Sequence, residues 1–184
     1  MTPWQLRQAA RALRSGSVIA YPTETVYGLG CDPLNPYAVE TLLTIKQRPM
    51  SKGLILIGAT LEQLLPYINV TDEPLLQKLQ ASHPRPTTWV VPARPATPAW
   101  LCGHHDSIAV RITSHPLAAQ LCAVFGGAIV SSSANPARLP PARSALTVEH
   151  YFHDRLEVIL HGGTQTGQPS EIRRLLDDRI IRGR

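Results

Sequence analysis

Seventeen of the 184 residues are proline, and this restricts the folds open to the chain more than any other feature. Each proline fixes φ, gives up a backbone N–H and pushes its predecessor away from the helical region. A chain broken this often is expected to have many loops and rigid turns, with short elements between them. Hydrophobic residues at 43% and charged residues at 17% are ordinary for a globular protein, so global disorder is not expected.

The apolar runs between the breaks read as short helices and strands. Thr2, Pro3 and Gln5 open a helix as N-cap, first-turn proline and capping-box partner. Leu6, Ala9, Ala10 and Leu13 form its buried face, and Gly16 stops it. Residues 17–20 read as a buried strand. Asn35-Pro36 opens a second helix that carries Val39, Leu42, Leu43 and Ile45 to Lys46 and ends at Pro49. Residues 53–57 form the next strand, and Thr60 to Gln63 reads as another capping-box helix start. A helix over 71–81, strands over 87–91 and 107–112, and a loop around Trp100 follow. Leu117, Ala118, Leu121, Cys122 and Phe125 make a helical stripe. Residues 128–130 read as a strand, 148–152 as a helix, 156–160 as a strand, 162–167 as a glycine-rich loop, and Ile180-Ile181 as the last strand, ending at Arg182. Helices and strands intermix without strict βαβ spacing. The expected fold is therefore α/β: a single three-layer domain over residues 1–184, with a twisted mixed sheet and helices on both faces.

Residues 21–32, reading YPTETVYGLGCD, are the most distinctive stretch. Two threonines, two tyrosines and two glycines crowd what reads as a strand exit. Such a stretch is either a tight turn or a place where a backbone and its hydroxyls approach a small polar ligand. It matches neither the phosphate-binding loop GxxxxGK[ST] nor the dinucleotide fingerprint GxGxxG. Other strand or helix ends carry similar groups: Lys46 and Arg48, Arg111, and the run Ser131, Ser133, Asn135. In α/β sheets, ligands bind where such ends converge. Fixed cations with hydroxyls suit a polyphosphate or a carboxylate. Taken singly, the pair Lys46 and Arg48 reads better as a helix C-terminus that favours cations, and the alternative for the serine run is a serine-rich turn. Arg111, between Val110 and Ile112, requires a partner for its charge.

Composition narrows the chemistry. The formal charge is +5 and the isoelectric point about 9.4, a balance that favours anionic partners. Three widely spaced cysteines do not make a disulfide framework, and they fit a reducing compartment. No leader pattern and no stretch near the ~20 apolar residues of a membrane span is present, so a soluble cytoplasmic protein is expected. Carboxylates are sparse near the motifs, with Glu24 and Asp32 the nearest. No paired-acid pattern suggests a dedicated metal cage, and Cys102-Gly103-His104-His105 lacks the second pair that a zinc site needs. No G-x-S-x-G elbow supports a hydrolase triad. Aromatic residues are few and not interleaved with basic ones, which weakens an RNA-stacking platform.

Five stretches taken in order resemble the YrdC-like family of threonylcarbamoyl-AMP synthases, in the short bacterial form: residues 21–32, 46–57 (KQRPMSKGLILI), 107–116 (SIAVRITSHP), 131–135 (SSSAN) and 169–173 (PSEIR). The resemblance implies a basic cleft and a nucleotidyl transfer: L-threonine, bicarbonate or CO₂, and ATP give threonylcarbamoyl-AMP and pyrophosphate. No metal-ligating residue is implied, so Mg²⁺ would be carried in with ATP. The product would pass to the tRNA threonylcarbamoyl transferase complex, with direct tRNA or RNA contact a further candidate. By the same resemblance, Lys46, Arg48, Ser133 and Asn135 hold ATP and its phosphates and carry catalysis. Lys52, Ser107 and Arg182 contact the nucleotide, and Thr23, Arg111, Ser131 and Ser170 hold threonine. Three positions depart from the family pattern: Ile57 stands where many relatives carry histidine, Pro136-Ala137-Arg138 replaces a Ser-Gly, and the motif around Ser170 replaces a Ser-Thr pair. The competing readings are a basic RNA- or ribosome-binding module of the same fold, and a sugar-phosphate lyase or synthase that would need a metal and acidic residues.

Overall fold

The computed structural model describes residues 2–183. Its elements, in chain order, are α1 (Pro3–Arg14), β1 (Ile19–Pro22), β2 (Tyr27–Gly30), α2 (Pro36–Lys46), β3 (Ile55–Gly58), α3 (Glu73–Gln80), β4 (Thr87–Pro92), a single turn α4 (Ala99–Cys102), β5 (Ser107–Ile112), α5 (Pro116–Phe125), β6 (Ile129–Ser133), α6 (Ala145–Phe152), β7 (Val158–Ile159), β8 (Glu171–Arg174) and β9 (Ile180–Arg182). The nine strands form one mixed sheet in the order β7-β1-β2-β6-β3-β5-β4-β8-β9. β1 with β7, β3 with β5 and β4 with β8 run parallel, and the other neighbours antiparallel.

Strand alternation sorts the core into two layers. Ala20, Tyr27, Leu29, Leu56, Trp89, Val91, Ile108, Val110 and Val130 face the larger one, which is closed by α2, α6 and the 61–70 segment. Ile19, Tyr21, Ile57 and Ile129 face the other way, against Leu6, Ala9 and Leu13 of α1 and Ala118, Leu121 and Cys122 of α5. The α1 cap forms as its sequence requires: the Thr2 side chain accepts from the Gln5 backbone, and Gln5 reaches back to Thr2 N. Cys31, Cys102 and Cys122 are free and buried. No helix among the described residues is long and apolar enough to cross a membrane.

The structure corrects several local expectations. Residues 27–30 are not part of a turn but a strand, β2, paired antiparallel with β1. Its glycines serve packing: a Cβ on Gly30 would lie 2.7 Å from both the Tyr21 ring and the Val130 carbonyl oxygen. That ring lies where a side chain would otherwise stand, and its hydroxyl donates to Val130 O at 3.2 Å. Gly30→Ala is therefore expected to cost about 2–3 kcal/mol by overpacking. Gly127→Ala, whose Cβ would meet only the Phe125 ring at 4.0 Å, should leave the urea midpoint nearly unchanged.

The helix expected from Thr60 does not form, and residues 62–67 make successive turns instead. Pro66 cannot donate a helical hydrogen bond and disfavours helix at Leu65. Gln63 leaves its capping role to accept from Ala59 N at 2.7 Å and to donate to Cys122 O at 3.2 Å. The loop around Trp100 contains the turn α4, where the indole N–H donates to Pro33 O at 3.0 Å. β8 was not legible as a strand because it is charged, reading Glu-Ile-Arg-Arg.

Candidate active site

The helical layer formed by α1 and α5 covers only part of its face of the sheet. Opposite residues in a ladder share a face, so Tyr21, Gly28 and Ser133 form one row, and Ser131, Ile55, Ala109 and Val90 the next. Beyond Tyr21, Ile57 and Ile129, the small residues Gly28, Ala109, Ser131 and Ser133 of these rows leave space over the sheet, bordered by Ile55 and Val90. The result is a cavity of about 350 Å³, which is in the range of ligand pockets. Its wall includes Thr23, Arg48, Lys52, Ser107, Arg111, Ser131, Ser133, Ser170 and Arg182. Four of these are cations, and among the described residues no carboxylate lines the cavity.

Backbone geometry delivers each group. Gln47 ends α2 in the left-handed region, with φ 52°, and its N–H returns to Leu43 O and Thr44 O. The chain then turns through Pro49 and a short 3-10 turn to Gly53, at φ +61°, where a Cβ would meet Cys102 O at 2.9 Å. Leu54 N donates to Leu101 O at 2.8 Å and His104 N to Ser51 O at 3.2 Å, docking this turn on α4. Arg48 is thereby aimed along the cleft. It donates to Gly53 O at 2.9 Å and keeps a buried Nε without a partner. Burial, and then the charge of Arg182, lower the Arg48 pKa. Burial, and then the charge of Arg111, lower that of Arg182. Three guanidinium groups thus influence one another in sequence across the cavity, an arrangement that an entering polyanion would relieve.

At the other end, the Thr23 hydroxyl donates to Val26 O at 2.7 Å and lies 3.1 Å from the Thr25 hydroxyl. Ser170 and Thr88 hydroxyls are 2.9 Å apart, and Arg182 donates to Ser170 O at 3.5 Å. Ser131, 6% exposed, completes this end. Arg111 is buried, and the partner its charge requires belongs to the protein: Glu24 Oε2 lies 3.5 Å from Arg111 Nη2. Glu24 Oε1 accepts from Thr113 Oγ1 and Ser114 N, both at 2.6 Å, and from His115 N at 3.2 Å. Burial pushes the Glu24 carboxyl up, but Arg111 and these donors outweigh it and hold it below its ordinary 4.5. A carboxylate depressed on folding stabilises fully above its unfolded pKa and loses that contribution as pH falls through the folded one. The acid unfolding limb between about pH 5 and 3 should accordingly be shallower in Glu24→Gln than in the wild type.

Two of the expected site residues do not line the cavity. The Lys46 ammonium, 6% exposed, donates to the Ser133 carbonyl, to Asn135 O at 3.0 Å and to Asn135 Oδ1 at 3.4 Å. Burial, and then Arg48, lower its pKa to about 8. Asn135 accepts from the Ser133 hydroxyl at 2.7 Å and donates to Leu139 O at 2.8 Å. Both residues therefore stand behind the wall that Ser133 forms. Ile57 is fully buried, packed with α1 and α5. Glu24 is the residue that sequence reasoning left without a role. Among the described residues, no three His, Cys, Asp or Glu side chains are grouped to hold a metal ion.

Known proteins are similar to this chain in sequence and in fold. The family model described as "Telomere recombination", named for Sua5, YciO and YrdC, matches residues 11–183. A threonylcarbamoyl-AMP synthase of Cellvibrio japonicus is 47% identical over 188 residues, covering 99% of each chain. One of Pseudomonas aeruginosa is 49% identical over 176 residues, covering 95% of this chain and 94% of its own. Among solved structures, P. abyssi Sua5 complexed with L-threonine superposes with a TM-score of 0.88 at 33% identity over 95% of this chain, which spans 52% of that longer protein. E. coli YciO superposes with a TM-score of 0.84 at 26% identity, covering 96% of this chain and 87% of its own.

Proposed function

Since the chain belongs to the Sua5/YciO/YrdC family, we propose that it is a threonylcarbamoyl-AMP synthase, acting in the cytoplasm in the first step of tRNA threonylcarbamoyladenosine formation. L-Threonine, bicarbonate or CO₂, and ATP are its substrates, and threonylcarbamoyl-AMP and pyrophosphate its products. The observation that carries the reading is similarity along the whole chain to synthases of this name, together with a cavity whose wall holds four cations and, among the described residues, no carboxylate. The product, a reactive mixed anhydride, passes to a tRNA threonylcarbamoyl transferase complex.

In this reading the threonine carboxylate meets Arg111, near Thr23, Ser131 and Ser170. The amine, once deprotonated, takes up bicarbonate with loss of water and becomes a carbamate. A carbamate oxygen then attacks the α-phosphorus of ATP, and pyrophosphate leaves with the bonding electron pair. The protein's part is to position both substrates and to neutralise phosphate charge. Arg48, Lys52 and Arg182 supply that charge, Ser107 and Ser133 offer hydroxyls, and Lys46 with Asn135 holds Ser133 in place. Arg182, whose pKa the charge of Arg111 helps to lower and whose own charge helps to lower that of Arg48, lies in this reading where the two substrates meet. Mg²⁺ would be carried in with ATP and would offset charge on the phosphates; among the described residues, none that lines the cavity is a carboxylate. No residue is assigned as a covalent nucleophile.

Pyrophosphate release from purified protein with ATP and Mg²⁺ tests this. Release should require both L-threonine and bicarbonate. Folded protein that releases no pyrophosphate in response to threonine but binds RNA in a salt-sensitive manner would favour the RNA-binding module instead.

A further inference from the structure

We infer that Glu24 is a positioning residue: it fixes the Arg111 guanidinium in the orientation that meets the substrate carboxylate, and it does not touch substrate itself. The inference rests on the threonine reading of the cleft given above. Thr23 and Thr25, on either side of Glu24, line the cavity, and Glu24 does not. Its two oxygens have separate tasks. Oε1 accepts from Thr113 Oγ1, Ser114 N and His115 N, all in the segment that directly follows Arg111 on β5 and leads into α5. Oε2 is buried, takes no hydrogen bond and faces Arg111 Nη2 at 3.5 Å. One carboxylate therefore ties the threonine-rich turn to the exit of β5 and leaves its second oxygen for Arg111 alone. Arg111 keeps a buried Nε with no partner, so the guanidinium is held on one side by Glu24 while it still lines the cavity.

Only an all-acceptor group satisfies this site. An amide has one acceptor and one donor end. With its oxygen at the Oε1 position, its NH₂ faces the guanidinium, donor against donor. Flipped, its NH₂ faces two backbone N–H groups and gives up two hydrogen bonds. Aspartate, one methylene shorter, cannot reach both partners from the same backbone. Without its counter-charge, the buried guanidinium turns toward solvent or toward an anion, and the cleft then presents a misplaced fork to the incoming carboxylate.

The test is Glu24→Gln in the full-length protein, with initial rates of pyrophosphate release measured while threonine and ATP are varied separately. The KM for threonine should rise about 30- to 100-fold, as for a displaced binding group, while the KM for ATP stays within about twofold. Equal rises in both constants, or no rise for threonine, would overturn the proposal. A crystal structure of Glu24→Gln gives a readout that does not depend on activity: the Arg111 guanidinium should leave its place beside residue 24, and an unmoved guanidinium would refute the positioning role. Wild-type protein without threonine-dependent release would refute the function while the crystal structure still decided the positioning claim. If Glu24→Gln does not fold, Thr113→Val removes one donor to Oε1 and keeps both charges. It should raise the threonine KM about three- to tenfold with the ATP KM unchanged, and an unchanged threonine KM would contradict the proposal.

Discussion

Replacing Arg111 with methionine should lower threonine-dependent pyrophosphate release by about 10²- to 10⁴-fold, the rate equivalent of the roughly 3–5 kcal/mol lost when one side of a buried charge pair with a bound carboxylate is truncated. Methionine keeps the unbranched stem between Val110 and Ile112, so the loss is one of charge and hydrogen bonding. The same substitution leaves Glu24 as a buried carboxylate without its counter-ion. Its pKa then rises above the unfolded value, and the penalty is largest at neutral pH and shrinks as acid protonates it. Urea midpoints should therefore differ from the wild type more at pH 7 than at about pH 4. The double variant Arg111→Met/Glu24→Gln removes the orphaned charge and should regain part of the stability but none of the activity. Activity and stability thus separate at one ion pair.

Lys46→Met should damage ATP use and the fold together. The ammonium of Lys46 donates to three acceptors on Ser133 and Asn135 and does not line the cavity. Removing it takes one donor from each of them and leaves the Asn135 carbonyl without one, while Asn135 N still reaches Ser133 O and the Ser133 hydroxyl still reaches Asn135 Oδ1, at a cost of about 2–3 kcal/mol after the relief of burying a charge is counted. Ser133, at the end of β6, then loses its fixed place, and the KM for ATP should rise about 10- to 100-fold. The threonine contacts proposed for Arg111 and Ser131 lie further along the sheet and should change less. Lys52→Met is the contrasting case: Lys52 lines the cavity, so ATP use should suffer while the thermal midpoint stays near the wild type. A Lys46→Met protein of undiminished stability that had lost ATP binding would mean that the ammonium contacts phosphate directly.

Elements with strong local signals could be read from the sequence. The capping box at Thr2, the Asn35-Pro36 helix start and the apolar strands around Leu56, Val110 and Val130 depend on short-range chemistry. The misreadings came from long-range packing. β2 contains two glycines and looks like a turn until the Tyr21 ring is seen to occupy the space over Gly30. The Thr60 start fails because Gln63 finds partners in Ala59 and Cys122 and because Pro66 interrupts what would follow. β8 joins the sheet through its ladder with β4, which no hydrophobic pattern announces.

The same division holds at the site. Thr23, Arg48, Lys52, Ser107, Arg111, Ser131, Ser133, Ser170 and Arg182, spread over 160 positions of sequence, line one cavity. Motif order anticipated which of them come together, because polar groups at strand ends leave a mark in composition. Motif order could not separate residues that face the cavity from residues behind it. Lys46 belongs to the same short motif as Arg48, yet it points to the backbone of β6. Glu24 could be named as a nearby carboxylate, but its task depends on a contact with residues some 90 positions away.

Mass spectrometry of the product formed from ATP, L-threonine and ¹³C-bicarbonate tests the central claim most directly. The account predicts an adenylate that contains threonine and carries the heavy carbon, formed in step with pyrophosphate and absent when either threonine or bicarbonate is withheld. An unlabelled threonyl adenylate, or ATP turnover that yields no threonine-containing adenylate, would contradict it.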